Sequence, residues 1–291
     1  MSRFINPFTD WGFKFIFGRE VEKAILIDFL NDLLSGEHVI TDLTFMNTEQ
    51  IPARQKERKA IYDIHCETVT GERIIVEMQN REQPYFRDRG LYYLSRAVVR
   101  QAPQGTWNYQ LNAVYGVFFV NFLLSEEEKE SFRTDVVLAD RDTGKVFNPK
   151  FRQIYLELPR FCKDESECET DFERWIYVLK NMETLDRMPF KARKAVFDRL
   201  EQIASVGNLT AEQRDRYEEE WKMYNDYYNT LDFAEQKGMQ KGIEKGRKEG
   251  IEEGRKESLY QAAFSMKKEG IPMAIIIKCT GLSQEEIEAL S

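Results

Sequence analysis

The sequence predicts an α/β protein in which helices flank a mixed central sheet, followed by an all-helical C-terminal region. Three observations carry this prediction. Residues 111–124 (LNAVYGVFFVNFLL) are almost all apolar, as in a strand that is covered on both faces. Residues 59–79 (KAIYDIHCETVTGERIIVEMQ) have the composition of a β-hairpin with a turn at Thr70-Gly71. From Thr170 onward, apolar residues recur at helical spacing.

The composition argues against several classes of protein. The chain has 291 residues and a net charge of -8, so binding to DNA would require a local basic patch. No apolar run approaches the roughly 18 residues of a membrane-spanning helix, and the N-terminal residues lack the apolar region of a signal peptide. The four cysteines form no CxxC pair or disulfide framework, which favours a reducing cytoplasm. With two histidines, a zinc site is not expected.

An aromatic segment, NPFTDWGFKFIFG, opens the chain and surrounds Asp10 and Lys14 with Phe and Trp residues. Thr9 or Asp10 can cap a short helix there, and we expect the segment to form a hydrophobic lid on the domain. The patterns that follow predict three elements before the hairpin: a helix at Glu20–Leu34, a strand at Val39–Phe45 and a polar loop at Glu49–Arg58.

The hairpin carries acidic residues on both of its arms, Ile61–Val69 and Arg73–Gln79. Side chains of a strand point alternately to opposite faces, so each arm has one apolar face and one face with acids. His65 shares the polar face, where it is either a ligand or proton-transfer group or a plain face-filling residue. The apolar flanks of the second arm predict a central strand with little polar surface to spare.

The register of the hairpin determines whether Asp63 and Glu77 share a face. A three-residue loop with Gly71 in the left-handed conformation places Asp63 opposite Glu77 or Gln79, whereas a two-residue loop places it opposite Met78. Burying an unpaired carboxylate costs several kcal/mol, so the hydrophobic pattern favours the first register. Carboxylates on facing strands, about 5 to 8 Å apart at Cβ, can share one hard cation. A polar face that simply meets water is the alternative.

A helix rich in Arg and Tyr is predicted from Pro84 to about Gln101. Its Arg89, Arg96 and Arg100 fall at seven- and four-residue spacings and lie on roughly one face. This basic stripe is suited to contacting phosphates or stabilising negative charge, and salt bridging with local acids is the alternative. Further strand patterns occur at Phe132–Ala139, Val146–Phe147 and Gln153–Leu158.

The C-terminal part is predicted to be helical, with the first and third helices opened by capping boxes. The three helices are expected at Thr170–Glu183, Phe190–Ser205 and Thr210–Thr230. The third continues into Asp232–Glu257, where glycine recurs every four residues from Gly238 to Gly254. This glycine stripe is either a seam for self-association or an exposed charged arm.

The last 34 residues, Ser258–Ser291, have the pattern of three short helices. The third of these would present acidic residues, a poor surface for a DNA groove, so we interpret this part as a packing or assembly element. We therefore divide the chain into a core at 1–165, a helical region packed on it at 166–234, and a glycine-striped helix with a small helical tail at 235–291.

The hairpin residues also carry a resemblance to a known family. Asp63 followed by Glu77-Met78-Gln79 resembles the D…(D/E)xK signature of the PD-(D/E)xK nuclease superfamily, with Gln where Lys is usual. The segments TDWGFKFIFG, YLELP, FERWIYVLK and TGLSQEEI are similar to one branch, the Rpn-type recombination-promoting nucleases, a bacterial group also named as transposases. The resemblance spans essentially the whole chain. It implies a restriction-endonuclease-like core at 1–165.

This resemblance implies a metal-dependent DNA endonuclease linked to recombination or mobile elements. Asp63 and Glu77 would bind Mg²⁺, with Mn²⁺ as the alternative, and the metal would orient a hydroxide and neutralise the phosphate. Asp10 would occupy the place where the superfamily often supplies an acid from an N-terminal helix.

Gln79 occupies the position of the usual lysine, and its neutral amide can only hydrogen-bond. Lys14 and Arg89 are therefore the candidate cations that would replace it. Lys14, Arg89, Arg96 and Arg100 are also the candidate contacts to DNA.

Three functions are compatible with these observations. The first is a Mg²⁺-dependent DNA endonuclease of the cytoplasm. The second is a catalytically weak or inactive nuclease-fold protein that binds DNA or a protein partner. The third is an assembly protein that forms a homo-oligomer through its C-terminal helices. None of the three involves a membrane.

Overall fold

The computed structural model describes residues 2–37, 39–50, 60–103, 105–126, 129 and 131–290. The chain forms two compact units, Met1–Met223 and Tyr224–Ser291. The three-part division at residues 165 and 234 stays a prediction. Among the described residues, no helix has the length and apolar character needed to cross a membrane.

The described strands are β1 (Leu43–Phe45), β2 (Glu49–Gln50), β3 (Ala60–Ile61), β4 (Ile64–Thr68), β5 (Arg73–Gln79), β6 (Val114–Val120), β7 (Arg133–Ala139) and β8 (Val146–Glu157). β2 and β3 form a separate antiparallel pair, and the others form a six-stranded sheet in the order β1-β4-β5-β6-β8-β7. β5, β6 and β8 run parallel, whereas the β1–β4, β4–β5 and β7–β8 pairs are antiparallel. The predicted mixed central sheet is confirmed.

The described helices are α1 (Asp10–Phe17), α2 (Lys23–Leu33), α3 (Phe86–Val99), α4 (Asp171–Asn181), α5 (Val196–Ala204), α6 (Ala211–Lys268), α7 (Met273–Thr280) and α8 (Gln284–Glu288). Two neighbouring residues of β6 show how these helices cover the sheet. Phe118 contacts Phe86 of α3, whereas Phe119 contacts Phe13 of α1 and Phe29 of α2. Because successive strand residues point to opposite faces, β6 is covered on both sides, as its apolar sequence predicts.

Several predicted boundaries were wrong for local reasons. The strand predicted at Val39–Phe45 is only β1, and Val39 is exposed. α3 begins at Phe86 rather than Pro84 because Tyr85 adopts the left-handed conformation, with φ of 63°. The helix predicted at Phe190–Ser205 is shortened to α5. Most of the loop predicted at Glu49–Arg58 lies outside the described residues.

In the second unit, the end of α6 packs with α7 and α8 around Ala263, Ile276, Leu282 and Ile287. The predicted helix signals are confirmed: α7 follows Pro272, Gly281 ends it with φ of 72°, and a capping box at Ser283 opens α8. The first of the three short helices predicted here is instead the end of α6.

The glycine stripe of α6, Gly238 to Gly254, is continuous helix, and a Cβ added at any of its five glycines would meet no atom within 4 Å. Of the two predicted alternatives, the stripe within this chain therefore corresponds to the exposed charged arm. Self-association through it stays a prediction.

Candidate active site

The turn between β4 and β5 sets the position of the acid pair, Asp63 and Glu77. The strands pair Ile64 with Val76 and continue in register to Glu67 and Arg73. The backbone N–H of Thr68 donates to the carbonyl of Glu72 (2.9 Å), which closes a three-residue loop containing Gly71 at φ of 91°. The three-residue register predicted from the sequence is confirmed, and extending it by one residue places Asp63 opposite Glu77.

Two reciprocal hydrogen bonds fix the acid pair. The backbone N–H of Asp63 donates to Oε1 of Glu77 at 3.2 Å, and the backbone N–H of Met78 donates to Oδ2 of Asp63 at 2.9 Å. The first arm is interrupted between β3 and β4, so the Asp63 backbone is released from the ladder and turns toward Glu77. Among the described residues, no backbone donor engages the second oxygen of either carboxylate.

Glu77 is enclosed, and the Asp63 side chain beside it is 21% exposed. Glu77 is 6% exposed, so the predicted alternative of a polar face that meets water is wrong. Burial, followed by the negative charge of Asp63, raises the pKa of Glu77 to about 8. Burial also raises the pKa of Asp63, against the opposing effects of the Met78 N–H and the charge of Lys14. The site therefore favours a bound proton or a nearby cation.

Helix α1 carries two of the predicted site residues to the acid pair. Lys14 Nζ lies 2.7 Å from Oδ1 of Asp10 and 3.7 Å from Oδ1 of Asp63. Burial opposes the Lys14 charge, but the hydrogen bond to Asp10 and the charges of Asp10, Asp63 and Glu77 outweigh it and raise the pKa of Lys14. Lys14 thus bridges the acid of α1 and the acid of the hairpin.

Close packing of the chain before α1 holds the helix in this position. Thr9 is the N-cap, and its Oγ1 accepts from the backbone N–H of Gly12 at 3.0 Å. A Cβ at Gly12 would lie 2.2 Å from the carbonyl oxygen of Asn6. Because a Cβ cannot fit there, the aromatic opening segment requires this glycine, and the predicted hydrophobic lid corresponds to a buried helix.

Gln79 lies between two polar partners at the end of β5. Its Nε2 donates to the carbonyl of Arg81 at 3.0 Å, and its Oε1 accepts from Nη2 of Arg89. The positive charge of Arg89 acts to lower the pKa of both Asp63 and Glu77, although burial has the larger effect. The position where the resemblance implies a lysine thus carries an amide bonded to a guanidinium.

The predicted basic stripe divides into two parts. Arg89 lies at the acid pair, whereas Arg96 Nη1 donates to the hydroxyl of Tyr92 at 2.9 Å. The charges of Arg96 and Arg100 act on Tyr62, whose pKa burial raises to about 12. Arg89 is thus the member of the stripe whose charge acts on both acids.

His65 belongs to the buried interior. It is 2% exposed and packs edge-on against Tyr62, with ring centroids 5.2 Å apart. Burial lowers its pKa, and the charges that act on it come from Arg73, Arg100 and Glu67. The sequence left His65 as either a ligand or proton-transfer group or a plain face-filling residue, and these contacts favour the second interpretation.

Two residues near the site were not predicted. Burial, then the charge of Glu77, raises the pKa of Tyr93, which lies one helical turn after Arg89. That i,i+4 spacing is a signal that could have identified it. Glu220 of α6 lies close enough for the charge of Asp10, after burial, to raise its pKa. Because Asp10 and Glu220 are far apart in the sequence, no local pattern predicts this electrostatic interaction.

The carboxylates of Asp63 and Glu77 suit a hard divalent cation that needs few ligands from the protein. Among the described residues, no group of three or more His, Cys, Asp and Glu side chains could hold a metal ion. Two adjacent carboxylates remain, and Mg²⁺ usually takes one or two protein carboxylates and keeps several waters. Burial disfavours the ionised forms of Asp63 and Glu77 and so raises the pKa of each, and a divalent cation bound at the pair would favour those ionised forms.

The chain was compared with known families and proteins. A family model described as PD-(D/E)XK nuclease family transposase matches residues 7–234, which is more than half of the chain. The matched range includes α1, the hairpin, α3 and the start of α6. No curated protein and no solved structure gave a significant match.

Proposed function

The chain belongs to the PD-(D/E)XK nuclease family transposases, and we propose that it is a Mg²⁺-dependent endonuclease that hydrolyses DNA at the acid pair. The family is one of nucleases linked to mobile elements. The DNA substrate, the metal and the endonucleolytic mode of cutting are the parts that we propose.

One observation carries the proposal: Asp63, at the break in the first hairpin arm, faces the buried Glu77 of β5, and each carboxylate accepts a single backbone hydrogen bond. The second oxygen of each carboxylate would bind the shared ligand, with Lys14 Nζ 3.7 Å from that oxygen of Asp63. Buried carboxylates with raised pKa values, close to a specific charge partner, are typical of functional sites.

Asp63 and Glu77 would hold the metal, and Mg²⁺, when bound, would supply an activated water and neutralise charge on the phosphate. Lys14 and Arg89 would stabilise the negative charge that develops on the phosphate oxygens. Gln79 would act as a positioning residue, because its Oε1 accepts from Arg89 and so orients the guanidinium. Asp10 would hold Lys14 at the edge of the site.

The second candidate is a nuclease-fold protein that binds DNA or a protein partner with little or no cleavage. The observation that favours it is the Gln79–Arg89 hydrogen bond. An amide cannot carry the charge of a lysine, and a guanidinium that is held by Gln79 and by Gln83 is less available to a phosphate.

The test is cleavage of supercoiled plasmid with Mg²⁺, with Mn²⁺ and with EDTA. Asp63→Asn keeps an acceptor for the Met78 N–H but removes the charge. We expect it to lower the cleavage rate more than about 100-fold, because losing a metal ligand should cost more than the roughly 10- to 100-fold lost when a residue that supports a ligand is changed. Asp142→Asn removes the same charge from the exposed β7–β8 turn and should leave the rate unchanged.

Equal cleavage by the wild type and Asp63→Asn, or cleavage that persists in EDTA, would overturn the proposed function. Retention of DNA without cutting, in a salt-dependent manner, would select the second candidate.

A further inference from the structure

A groove of about 470 Å³ lies beside the acid pair, between α1 and the start of α6. Trp11 and Phe15 contribute aromatic surface, and Lys14, Arg19 and Arg216 contribute positive charge. Lys14 belongs to both places, since its Nζ is 3.7 Å from Oδ1 of Asp63. Lys14 therefore borders both the groove and the candidate active site.

Arg19 brings a charge to this groove that the protein does not fully compensate. Its nearest carboxylate is Glu22, which is 5% exposed and pairs with Arg199 through both oxygens. Arg19 Nη2 is left 3.9 Å from Oε1 of Glu22 and, although buried, makes no hydrogen bond among the described residues. Two guanidiniums thus share one carboxylate, which leaves about one net positive charge.

The guanidinium of Arg19 is held in place without being neutralised. Its Nε donates to the carbonyl of Phe15 at 2.7 Å, and its Cζ lies 3.6 Å from the centroid of the Phe15 ring. Trp11 stacks on the same ring, with centroids 4.3 Å apart. The cation is therefore fixed on an aromatic platform, so little entropy would be lost when an anion binds it.

The facing wall of the groove is the first turns of α6. Thr210 caps this helix, so the wall presents the positive end of a helix dipole. Arg216 pairs there with Glu212 at 3.3 Å, but the two side chains are 66% and 80% exposed. Such an exposed pair is weak, and Arg216 can exchange Glu212 for a phosphate at little cost.

We propose that this groove binds a backbone phosphate of the DNA strand that continues past the acid pair, through Arg19 and Arg216. The inference rests on the proposed function, because it assigns the path of that function's substrate. A phosphodiester can pair with Arg19 on one wall and Arg216 on the other. When it binds, the exposed side chain of Glu212 turns away from Arg216 into solvent. The chemistry is sequence-independent, as expected for phosphate contacts.

The experiment measures equilibrium binding of a fluorescently labelled DNA duplex by the full chain in EDTA, over a series of salt concentrations. Arg19→Gln and Arg216→Gln should each reduce the slope of log K against log[salt], and the double variant should reduce it by about 0.9, the value for one lost phosphate contact. Lys145→Gln removes the same charge at an exposed position outside the groove and should leave the slope unchanged. Thermal melting shows whether each variant is folded, and the exposed Arg216 keeps the test valid if Arg19→Gln unfolds.

If the wild type binds DNA and both groove variants keep its slope, the groove assignment is overturned while the nuclease proposal stands. If the variants lose binding of inorganic phosphate but keep the DNA slope, the groove serves a free anion and the assignment to DNA is overturned. If the wild type binds no DNA, the proposed function fails, and the groove assignment fails with it.

Discussion

The β4–β5 hairpin and the glycine stripe of α6 are both strongly patterned, but they differ in what surrounds them. In the hairpin, Glu77 is 6% exposed and accepts a hydrogen bond from the backbone N–H of Asp63 on the facing arm. In the stripe, Lys245 and Glu249 form an ion pair at 3.7 Å with side chains 78% and 61% exposed. Enclosure, rather than pattern, turns acidic side chains into groups with shifted pKa values.

The glycines of the two regions show the same difference. Gly12, in the helix that brings Lys14 to the acid pair, faces the Asn6 carbonyl so closely that no side chain fits. Gly246, in the middle of the stripe, faces open space. One glycine is required by packing, whereas the other only weakens its helix. Three predictions sharpen or break this comparison.

The largest effect is expected for Gly12→Ala. The new Cβ would lie 2.2 Å from the Asn6 carbonyl oxygen and 2.7 Å from Thr9 Oγ1, so α1 has to shift. We expect a loss of about 3 kcal/mol in the free energy of unfolding, measured by chemical denaturation. Gly246→Ala is the matched control. An unchanged stability of Gly12→Ala would show that α1 is not held in the way described.

An intermediate effect is expected for Glu77→Gln, and it depends on pH. The pKa of Glu77 is raised from the usual 4.5 to about 8, so the folded state holds a proton that the unfolded chain releases. The resulting stability is fully present below about pH 4.5 and is lost as the pH rises to about 8. Glu77→Gln should match the wild type at pH 5 and be the more stable of the two at pH 8.

The control for this experiment comes from the glycine stripe. Glu249→Gln removes an exposed acid and should leave the pH dependence of unfolding unchanged. Mg²⁺ should stabilise the wild type but not Glu77→Gln, because a ligand of the folded state raises its stability. A pH profile of Glu77→Gln that parallels the wild type would contradict the enclosure of the acid pair.

The smallest effect is expected for Gly246→Ala itself. An interior glycine costs an exposed helix about 1 kcal/mol relative to alanine, so the variant should gain helical signal by circular dichroism and slow hydrogen exchange in the stripe. Size-exclusion chromatography tests the other interpretation. If the stripe packs closely against a second copy, the added methyl groups of a variant with alanine at all five glycines would weaken the oligomer.

The sequence was sufficient for the hairpin because local chemistry determines it. Gly71 permits the left-handed turn, and the cost of burying Asp63 opposite Met78 excludes the other register. The strand β6 was also predictable, because a short continuous apolar run is typical of a strand that is covered on both faces.

The contacts around the acid pair were less predictable because they are tertiary. Lys14 and Arg89 were named as candidate cations, but no spacing in the sequence brings α1 to the hairpin. The sharing of Glu22 by Arg19 and Arg199 depends on the packing of α5 near α2, and the boundary of α3 depends on one unusual backbone angle at Tyr85. These features follow from three-dimensional packing that overrides local propensity.

The turn at Gly71 has a consequence for how this protein can diverge. Substitutions at surface turns are ordinarily among the mildest changes that a gene can accumulate. Here a substitution that replaced the three-residue loop by a two-residue Thr70-Gly71 loop would shift the pairing of β4 with β5 by one position and send Asp63 to the opposite side of the sheet from Glu77. A lineage that changed the turn in this way would keep the fold and both acids in its sequence, yet would carry them where they can no longer cooperate.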